Sequence, residues 1–185
     1  MTQPIISAIF AIDCYGGMGY ENKLPWSPIK EDFAWFKQHT MNKVVVMGYK
    51  TWDSLPVRPL MNRTNVVLSN RIDTIEGAVV CKSFADVIAK YPNEKEIVII
   101  GGAETIRTLR DHISRVYVTT VNTVNLADLL VEGNWEEWDL RYHDEFTSER
   151  CTFDIWEMID DSPSLAFYTK GGLKPERKEL MAKQD

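Results

Sequence analysis

Short apolar runs that alternate with helical segments constrain the fold of this chain more than any other feature. Residues 5–12 are nearly all apolar and rich in β-branched side chains, and residues 44–48 and 96–100 repeat this pattern. Such runs predict strands that are covered on both faces, which occur mainly in parallel sheets. Helices are predicted after them, at about residues 31–41 and from residue 102 to about 111.

More strands are predicted over residues 64–69, 79–81 and 114–121. Two antiparallel strands, 141–146 and 151–159, are predicted around a hairpin at 147–150. We therefore expect an α/β fold with a mixed, mainly parallel sheet of about eight strands, helices on both faces and an antiparallel C-terminal strand pair. Ligands of such sheets bind at the carboxyl ends of the strands.

The composition limits the classes of function. The 185 residues predict one domain over residues 1–159, followed by an extension, 160–185, to which we assign no role. The net charge of -6 argues against an extended nucleic-acid surface, although a local basic patch could bind a small phosphorylated ligand. Three widely spaced cysteines predict no disulfide framework and fit a cytoplasmic protein. The three histidines show no metal-ligand spacing, and the apolar run 5–12 is too short to span a membrane.

The segment 16–40 carries the first candidate for chemistry. A glycine-rich loop leads through Leu24 and Trp26 into a helix that begins near Asp32 and contains several aromatic residues. A carboxylate among aromatic side chains is poorly solvated, so its pKa should rise towards the range useful in catalysis. The alternative is that Glu31 and Asp32 only occupy the first helical turn, where the helix dipole favours acidic residues.

Glycines stand between predicted strands and helices at Gly48 and at the pair Gly101 and Gly102. A glycine there lets a phosphate approach the backbone amides at the helix N-terminus, and Lys50 and Thr51 add a cation and a hydroxyl. The alternative is that the glycines only permit turns. Neither a Rossmann fingerprint nor a Walker A motif is present, so a dinucleotide would have to bind in another way.

Basic side chains lie close to the ends of two predicted strands, 44–48 and 64–69. Ser69 and Arg71, together with Lys50, could hold a 2′-phosphate and so select NADP over NAD, unless Arg71 is simply a solvated loop residue. Arg63 precedes a strand and could bind a substrate carboxylate through its guanidinium fork. On pattern alone, a surface position is the favoured interpretation of both Arg58 and Arg63.

Motifs along residues 4–159 together resemble those of dihydrofolate reductase, and their combination is highly specific although no single one is. They are Gly19-x-Glu21-Asn22-x-Leu24-Pro25-Trp26, Asp32-Phe33-x-x-Phe36-Lys37-x-x-Thr40, Val46-Met47-Gly48-x-x-Thr51-Trp52-x-Ser54-Leu55, Arg58-Pro59-Leu60-x-x-Arg63, Leu68-Ser69, Ile100-Gly101-Gly102 and Val118-Thr119.

The resemblance implies roles for individual residues. Asp32 would bind the 2-amino group and N3 of the pterin, Thr119 would hold its carboxylate, Trp26 would anchor a water, and Leu24 would be the lid over the nicotinamide. Further substrate contacts would come from Ala8, Phe33, Phe36, Leu55, Arg58 and Arg63. NADPH would be bound by Ala8, Gly19, Gly48, Lys50, Thr51, Ser69, Arg71, Ile100, Gly101, Gly102, Ala103, Glu104 and Thr105.

The resemblance also implies the reaction: hydride transfer from NADPH to C6 of 7,8-dihydrofolate and protonation of N5 by water, assisted by Asp32. The product, tetrahydrofolate, would support one-carbon metabolism and thymidylate synthesis. The loop 14–26 would act as a lid. We expect dihydrofolate and antifolates such as methotrexate as ligands, no metal, no nucleic-acid or membrane partner, and a monomer.

Two alternatives share parts of this pattern. A riboflavin-pathway reductase of the same fold would keep the glycine pair but would need neither Asp32 nor Arg63. A non-catalytic binding module gains some weight from Ile106, which stands where the family often has tyrosine, and from the unassigned residues 160–185. The loop around Gly16 is also two residues longer than the loop usual in the family, a difference that bears on the motion of this loop.

Overall fold

The computed structural model describes residues 3–19, 24–125, 127, 129–133, 138–145, 147–159 and 165–169. The motif residues Glu21 and Asn22 and much of 160–185 lie outside these ranges. The elements in chain order are β1 (Ile5–Asp13), β2 (Gly17–Gly19), α1 (Lys30–Thr40), β3 (Val44–Gly48), α2 (Tyr49–Ser54), β4 (Thr64–Leu68), β5 (Val79–Cys81), α3 (Phe84–Lys90), β6 (Glu96–Gly101), α4 (Ala103–Leu109), a 3₁₀ turn (Arg110–His112), β7 (Arg115–Val121), β8 (Leu129–Gly133), β9 (Trp138–Asp144), β10 (Cys151–Met158) and β11 (Leu165–Thr169).

Eight of these strands form one sheet in the order β5-β4-β3-β6-β1-β7-β10-β9. The pairings of β1 with β6, β3 with β6, β3 with β4 and β4 with β5 are parallel, whereas β9 and β10 are antiparallel. This arrangement confirms the predicted fold class. No helix in the described part of the chain is long and apolar enough to cross a membrane.

The chain divides into two compact units. The first comprises Met1–Ile9 and Phe36–Arg115, and the second comprises Phe10–Trp35 and Val116–Asp185. In the first unit, the side chains of Val45, Val46 and Met47 on β3 and of Ile97 and Val98 on β6 are all 0% exposed. Burial on both faces of these strands explains why their sequences are continuous apolar runs rather than alternating ones.

In the second unit, Trp35 of α1 packs among aromatic side chains from three strands. Its ring stacks on Tyr142 at 5.6 Å between centroids, lies 4.9 Å from Phe153 and meets Tyr117 edge-on at 6.5 Å. Large aromatic surfaces bury much apolar area, so this cluster anchors the first half of α1 within its unit.

The second unit also contains a three-stranded sheet in the order β11-β8-β2, with both pairings antiparallel. The prediction of a glycine-rich loop ahead of the first helix was wrong at β2, where Gly17–Gly19 forms a strand. β9 begins at Trp138 rather than at residue 141. β11 lies within residues 160–185, to which the sequence assigned no role. These strands are defined by distant pairing partners, which local periodicity does not report.

Candidate active site

Asp32 lies in the first turn of α1, as both interpretations of the sequence required. Its Oδ1 accepts a 2.6 Å hydrogen bond from the hydroxyl of Thr119, which lies on β7 and is 1% exposed. Burial raises the pKa of Asp32, and the hydrogen bond from Thr119 offsets part of that rise. Oδ2 makes no hydrogen bond to any described residue, so the carboxylate keeps acceptor capacity for a ligand.

The segment before α1 carries Leu24 and Trp26. The Leu24 side chain is 49% exposed, whereas Trp26 is 9% exposed. The indole Nε1 of Trp26 is buried and donates to no acceptor among the described residues. A buried donor without a protein acceptor is costly unless a water or ligand accepts from it. Phe33, one residue after Asp32, is 52% exposed despite its apolar ring.

In the first unit, Arg63 is held against the last turns of α1. Its Nη1 donates to Thr40 Oγ1 at 3.1 Å, its Nε donates to the carbonyl of Met61 at 3.0 Å, and its guanidinium lies 5.9 Å above the ring of Phe36. Burial lowers the pKa of Arg63, though an arginine stays charged at neutral pH. Nη2 makes no hydrogen bond to a described residue and can donate to an anion.

Arg58 has a different environment. Its Nη1 donates to the carboxylate of Asp53 at 2.9 Å and to the carbonyls of Asp53 and Trp52 at 3.0 and 3.3 Å, at the end of α2. The side chain is 43% exposed. These contacts favour the surface interpretation of Arg58. Leu55 follows as the C-cap residue of α2 and is half-buried.

The two glycine-terminated strands lie side by side, because β3 and β6 pair in parallel with Met47 opposite Gly101. The helices that follow, α2 and α4, begin after Gly48 and Gly102, and neither has a side-chain cap. Their first amides are therefore available to an external acceptor such as a phosphate.

Each of these glycines faces a threonine of the other strand–helix junction. A Cβ added to Gly48 would lie 2.7 Å from Thr105 Oγ1, and one added to Gly102 would lie 3.0 Å from Thr51 Oγ1. Gly101 has a φ of +131°, a backbone angle that residues with a Cβ rarely adopt. The glycines therefore permit a close approach of the two junctions, in addition to any contact with a ligand.

The remaining residues that are predicted to bind the cofactor have varied environments. Lys50 and Arg71 are exposed, and Ser69 Oγ accepts from the amides of Arg71 and Ile72 at 3.3 and 3.2 Å. The carboxylate of Glu104 pairs with Arg107 at 2.6 Å. Ala8 is fully buried on β1, Gly19 and Ile100 are half-buried at strand ends, and Ala103 and Thr105 are half-buried in the first turn of α4.

The model of the dihydrofolate reductase family matches residues 5–158. The chain belongs to this family. It is 36% identical over 141 residues to dihydrofolate reductase of Haemophilus influenzae, which covers 76% of this chain and 86% of the relative. It is 42% identical over 127 residues to the enzyme of Mycobacterium leprae, covering 67% of this chain and 76% of the relative.

A solved structure, "Dihydrofolate reductase from Enterococcus faecalis complexed with NADP(H)and RAB-propyl", matches with a TM-score of 0.73 and 27% identity. The match covers 85% of this chain and 98% of that one. The predicted resemblance is thereby confirmed, and so is the prediction of an enzyme. Within the described residues, no group of three or more histidine, cysteine, aspartate or glutamate side chains could hold a metal ion.

Sequence reasoning missed the role of Asp13, which is fully buried at the end of β1. Its Oδ1 accepts from the amides of Tyr15 and Gly17 at 3.0 and 2.8 Å, and its Oδ2 accepts from the amide of Asn125 at 3.0 Å. A carboxylate that accepts several amides fixes the backbone around it. An aspartate followed three and four residues later by Gly16 and Gly17 was the available signal for such a turn.

Proposed function

We propose that the chain reduces 7,8-dihydrofolate to 5,6,7,8-tetrahydrofolate at the expense of NADPH. Membership of the dihydrofolate reductase family supports the reaction class. The observation that carries the proposal is the half-buried Asp32 carboxylate, which accepts a hydrogen bond from Thr119 while its Oδ2 has no partner among the described residues. A charged acceptor in that setting suits a ligand that presents two neighbouring N–H donors, as the 2-amino group and N3 of a pterin do.

Asp32 binds and orients the pterin in this proposal. Its two charge-assisted hydrogen bonds favour electron density at N5, which raises the tendency of that nitrogen to take a proton. Thr119 holds the carboxylate in one rotamer, so the orientation is set before the substrate arrives. The raised pKa of Asp32 supports this role, because a buried carboxyl gains most from a ligand that donates to it.

A water delivers the proton to N5 in this proposal, since no protein group need contact that atom. The Trp26 indole supports the assignment: its buried Nε1 has no acceptor among the described residues and can donate to such a water. Leu24 acts as the lid residue over the nicotinamide, and loop 14–26 excludes bulk solvent during the reaction.

Bound NADPH supplies the hydride that goes to C6. The uncapped starts of α2 and α4 at Gly48 and Gly102 suit its phosphates, because their first amides can donate to an external acceptor. Thr51, Ala103, Glu104 and Thr105 flank these phosphates, and Ala8, Gly19, Ile100 and Gly101 are assigned to the nicotinamide side. The exposed cations Lys50 and Arg71, with Ser69, are assigned to the 2′-phosphate. The NADP(H) complex of the E. faecalis relative supports this choice of cofactor.

Arg63 is assigned to the carboxylate of the substrate's glutamate tail, because its Nη2 has no partner among the described residues. Phe33, Phe36 and Leu55 supply apolar contacts to the pterin and aminobenzoyl rings of the substrate. Arg58 is assigned a lesser role at the edge of the substrate site. Antifolates such as methotrexate would bind to the same groups. A cytoplasmic monomer that supplies tetrahydrofolate for one-carbon metabolism and thymidylate synthesis completes the proposal.

The decisive experiment follows NADPH oxidation spectrophotometrically with dihydrofolate, with a pyrimidine intermediate of riboflavin synthesis as the competing substrate. We expect turnover with dihydrofolate alone. Oxidation only with the pyrimidine would replace the proposal by the related reductase. A folded chain that binds NADPH and methotrexate without any turnover would instead identify a binding module.

A further inference from the structure

The strand β11 lies beyond residues 5–158, the part of the chain that the family model matches. It pairs antiparallel with β8 along its whole length, from Leu165 opposite Gly133 to Thr169 opposite Leu129, without a register shift. A segment that is not part of the family's shared fold thus forms one edge of the small sheet.

The opposite edge of the same sheet is β2, which precedes Leu24 and Trp26 in the chain. β2 pairs with β8 with Gly17 opposite Leu130 and Gly19 opposite Leu129, and the amide of Val131 donates to the carbonyl of Gly16 at 2.8 Å. β8 is therefore the central strand between β2 and β11.

The backbone groups of β8 are divided between these two neighbours. Successive residues of a strand direct their amide and carbonyl groups to opposite edges. Because Val131 turns towards β2, Leu130 and Glu132 turn towards β11, where their partners are Tyr168 and Ala166. The two partners thus bond to alternate residues of one five-residue strand.

We propose that β11 is a positioning element for β2, the strand that precedes Leu24 and Trp26 in the chain: β11 holds β8, and β8 holds β2. The proposal rests on the proposed function only where it treats loop 14–26 as a lid. Its structural part, that β11 orders β2 through β8, is independent of the reaction.

The small size of β2 is the physical reason for this dependence. β2 has three residues, two of them glycine, and glycine loses more conformational entropy on ordering than any other residue. A two-stranded ribbon is marginally stable by itself, whereas a third strand adds a second row of backbone hydrogen bonds. Without β11, β8 would become an edge strand with unpaired amides at Leu130 and Glu132.

The first test compares two truncated chains by amide hydrogen exchange. One ends after Ile159 and lacks β11; its matched control ends after Lys170 and keeps β11. In the shorter chain we expect exchange of the Val131 amide to accelerate by about tenfold or more, the effect of losing one to two net hydrogen bonds. The control should match the full chain. Equal exchange rates in the two truncated chains would overturn the proposal.

Two proline substitutions test the same point if the shorter chain fails to fold. Ala166→Pro removes an amide that turns towards β8, whereas Phe167→Pro removes one that turns away from it. We expect Ala166→Pro to accelerate Val131 exchange more than Phe167→Pro does. The opposite order, or no difference between the two, would contradict the pairing-based mechanism.

Kinetics then separate positioning from simple loss of stability. In the chain that ends after Ile159, we expect single-turnover hydride transfer to fall by roughly fivefold, as misplacement of a lid causes. The KM for dihydrofolate should stay within about twofold, because Asp32 and Thr119 are untouched. Altered exchange with unchanged hydride transfer would remove the catalytic part of the proposal. Absence of turnover in the full chain would reject the proposed function, while the exchange result would still decide whether β11 orders β2.

Discussion

The hydroxyl of Thr119 donates to Oδ1 of Asp32 at 2.6 Å, joining β7 to the first turn of α1 across 87 residues of sequence. This contact lowers the pKa of Asp32 against the opposing and larger effect of burial. It therefore favours the ionised form of the carboxyl and fixes its direction.

Replacing Thr119 with valine tests the importance of that hydrogen bond. Its loss raises the pKa of Asp32 further, so the acid limb of the pH profile of kcat/KM should move to higher pH. At neutral pH we expect kcat/KM for dihydrofolate to fall by roughly tenfold, the typical effect of losing a hydrogen bond to a charged group. Thr120→Val on the same strand is the control. An unchanged pH profile would exclude a positioning role for Thr119.

Replacing Asp32 with asparagine tests the assigned pterin anchor. Asparagine keeps the size of the side chain but loses the charge, so turnover at neutral pH should fall on the order of 10²–10⁴-fold. The affinity for NADPH, measured by fluorescence titration, should stay unchanged. A variant that retains normal kcat would show that another group anchors the substrate.

The same variant carries a stability prediction. The pKa of Asp32 is raised in the folded chain, so the folded state binds the proton more tightly and ionisation of Asp32 costs folding free energy at neutral pH. Asp32→Asn should therefore raise the melting temperature at neutral pH, and this gain should shrink as the pH falls through the acidic range. A gain that is equal at both pH values would have another cause.

Prediction from sequence succeeded where the residues of an element themselves carry the apolar or helical pattern of that element. β3 and β5 have the predicted bounds, and α1 is displaced by only one residue. It failed at β2, because a three-residue strand with two glycines has no periodicity of its own and exists through its pairing with β8. β11 had no counterpart among the family motifs, and its sequence pattern was too weak to predict a strand.

The residues of the candidate site could likewise be predicted only where the local sequence carried a signal. Asp32 had a local signal, since it stands among aromatic residues at a helix start. The contact between Asp32 and Thr119 had none, and only the family resemblance connected the two residues. Asp13 was missed because one of the amides that donate to it, that of Asn125, lies 112 residues away in the sequence. The amides of Tyr15 and Gly17, which also donate to it, are close in the sequence.

Replacing Gly101 with alanine tests the need for glycine at the end of β6. A φ of +131° is strained for any residue with a Cβ, so we expect a loss of about 1–3 kcal/mol of unfolding free energy. Gly102→Ala is the control: its φ of -69° is ordinary, and its Cβ would meet only Thr51 Oγ1 at 3.0 Å. Urea denaturation measures both. A smaller loss at Gly101 than at Gly102 would contradict the prediction.

Replacing Asp13 with asparagine tests the importance of the amide hydrogen bonds that this carboxylate accepts at the end of β1. One oxygen of the carboxylate becomes an amide donor, which then faces a backbone N–H of Asn125 or of Tyr15 and Gly17. We expect a loss of about 1–3 kcal/mol of stability and faster exchange of the Gly17 amide. Asp144→Asn is a matched control, because Asp144 also accepts from Thr147 and Tyr142 but is located on the more exposed hairpin. Equal losses would show that burial of Asp13 is unimportant.

His39 gives the chain a pH dependence in the acidic range. Burial, followed by the positive charge of Lys43, lowers the pKa of His39 from 6.5 to about 4. The unfolded chain therefore binds the proton more readily, so His39 stabilises the fold above pH 6.5 and this contribution is lost as the pH falls towards about 4. Because His39 is only half-buried, we expect about 1–2 kcal/mol after solvent screening. His39→Gln should reduce the pH dependence of urea stability between these pH values, and an identical pH dependence in both chains would contradict the assignment.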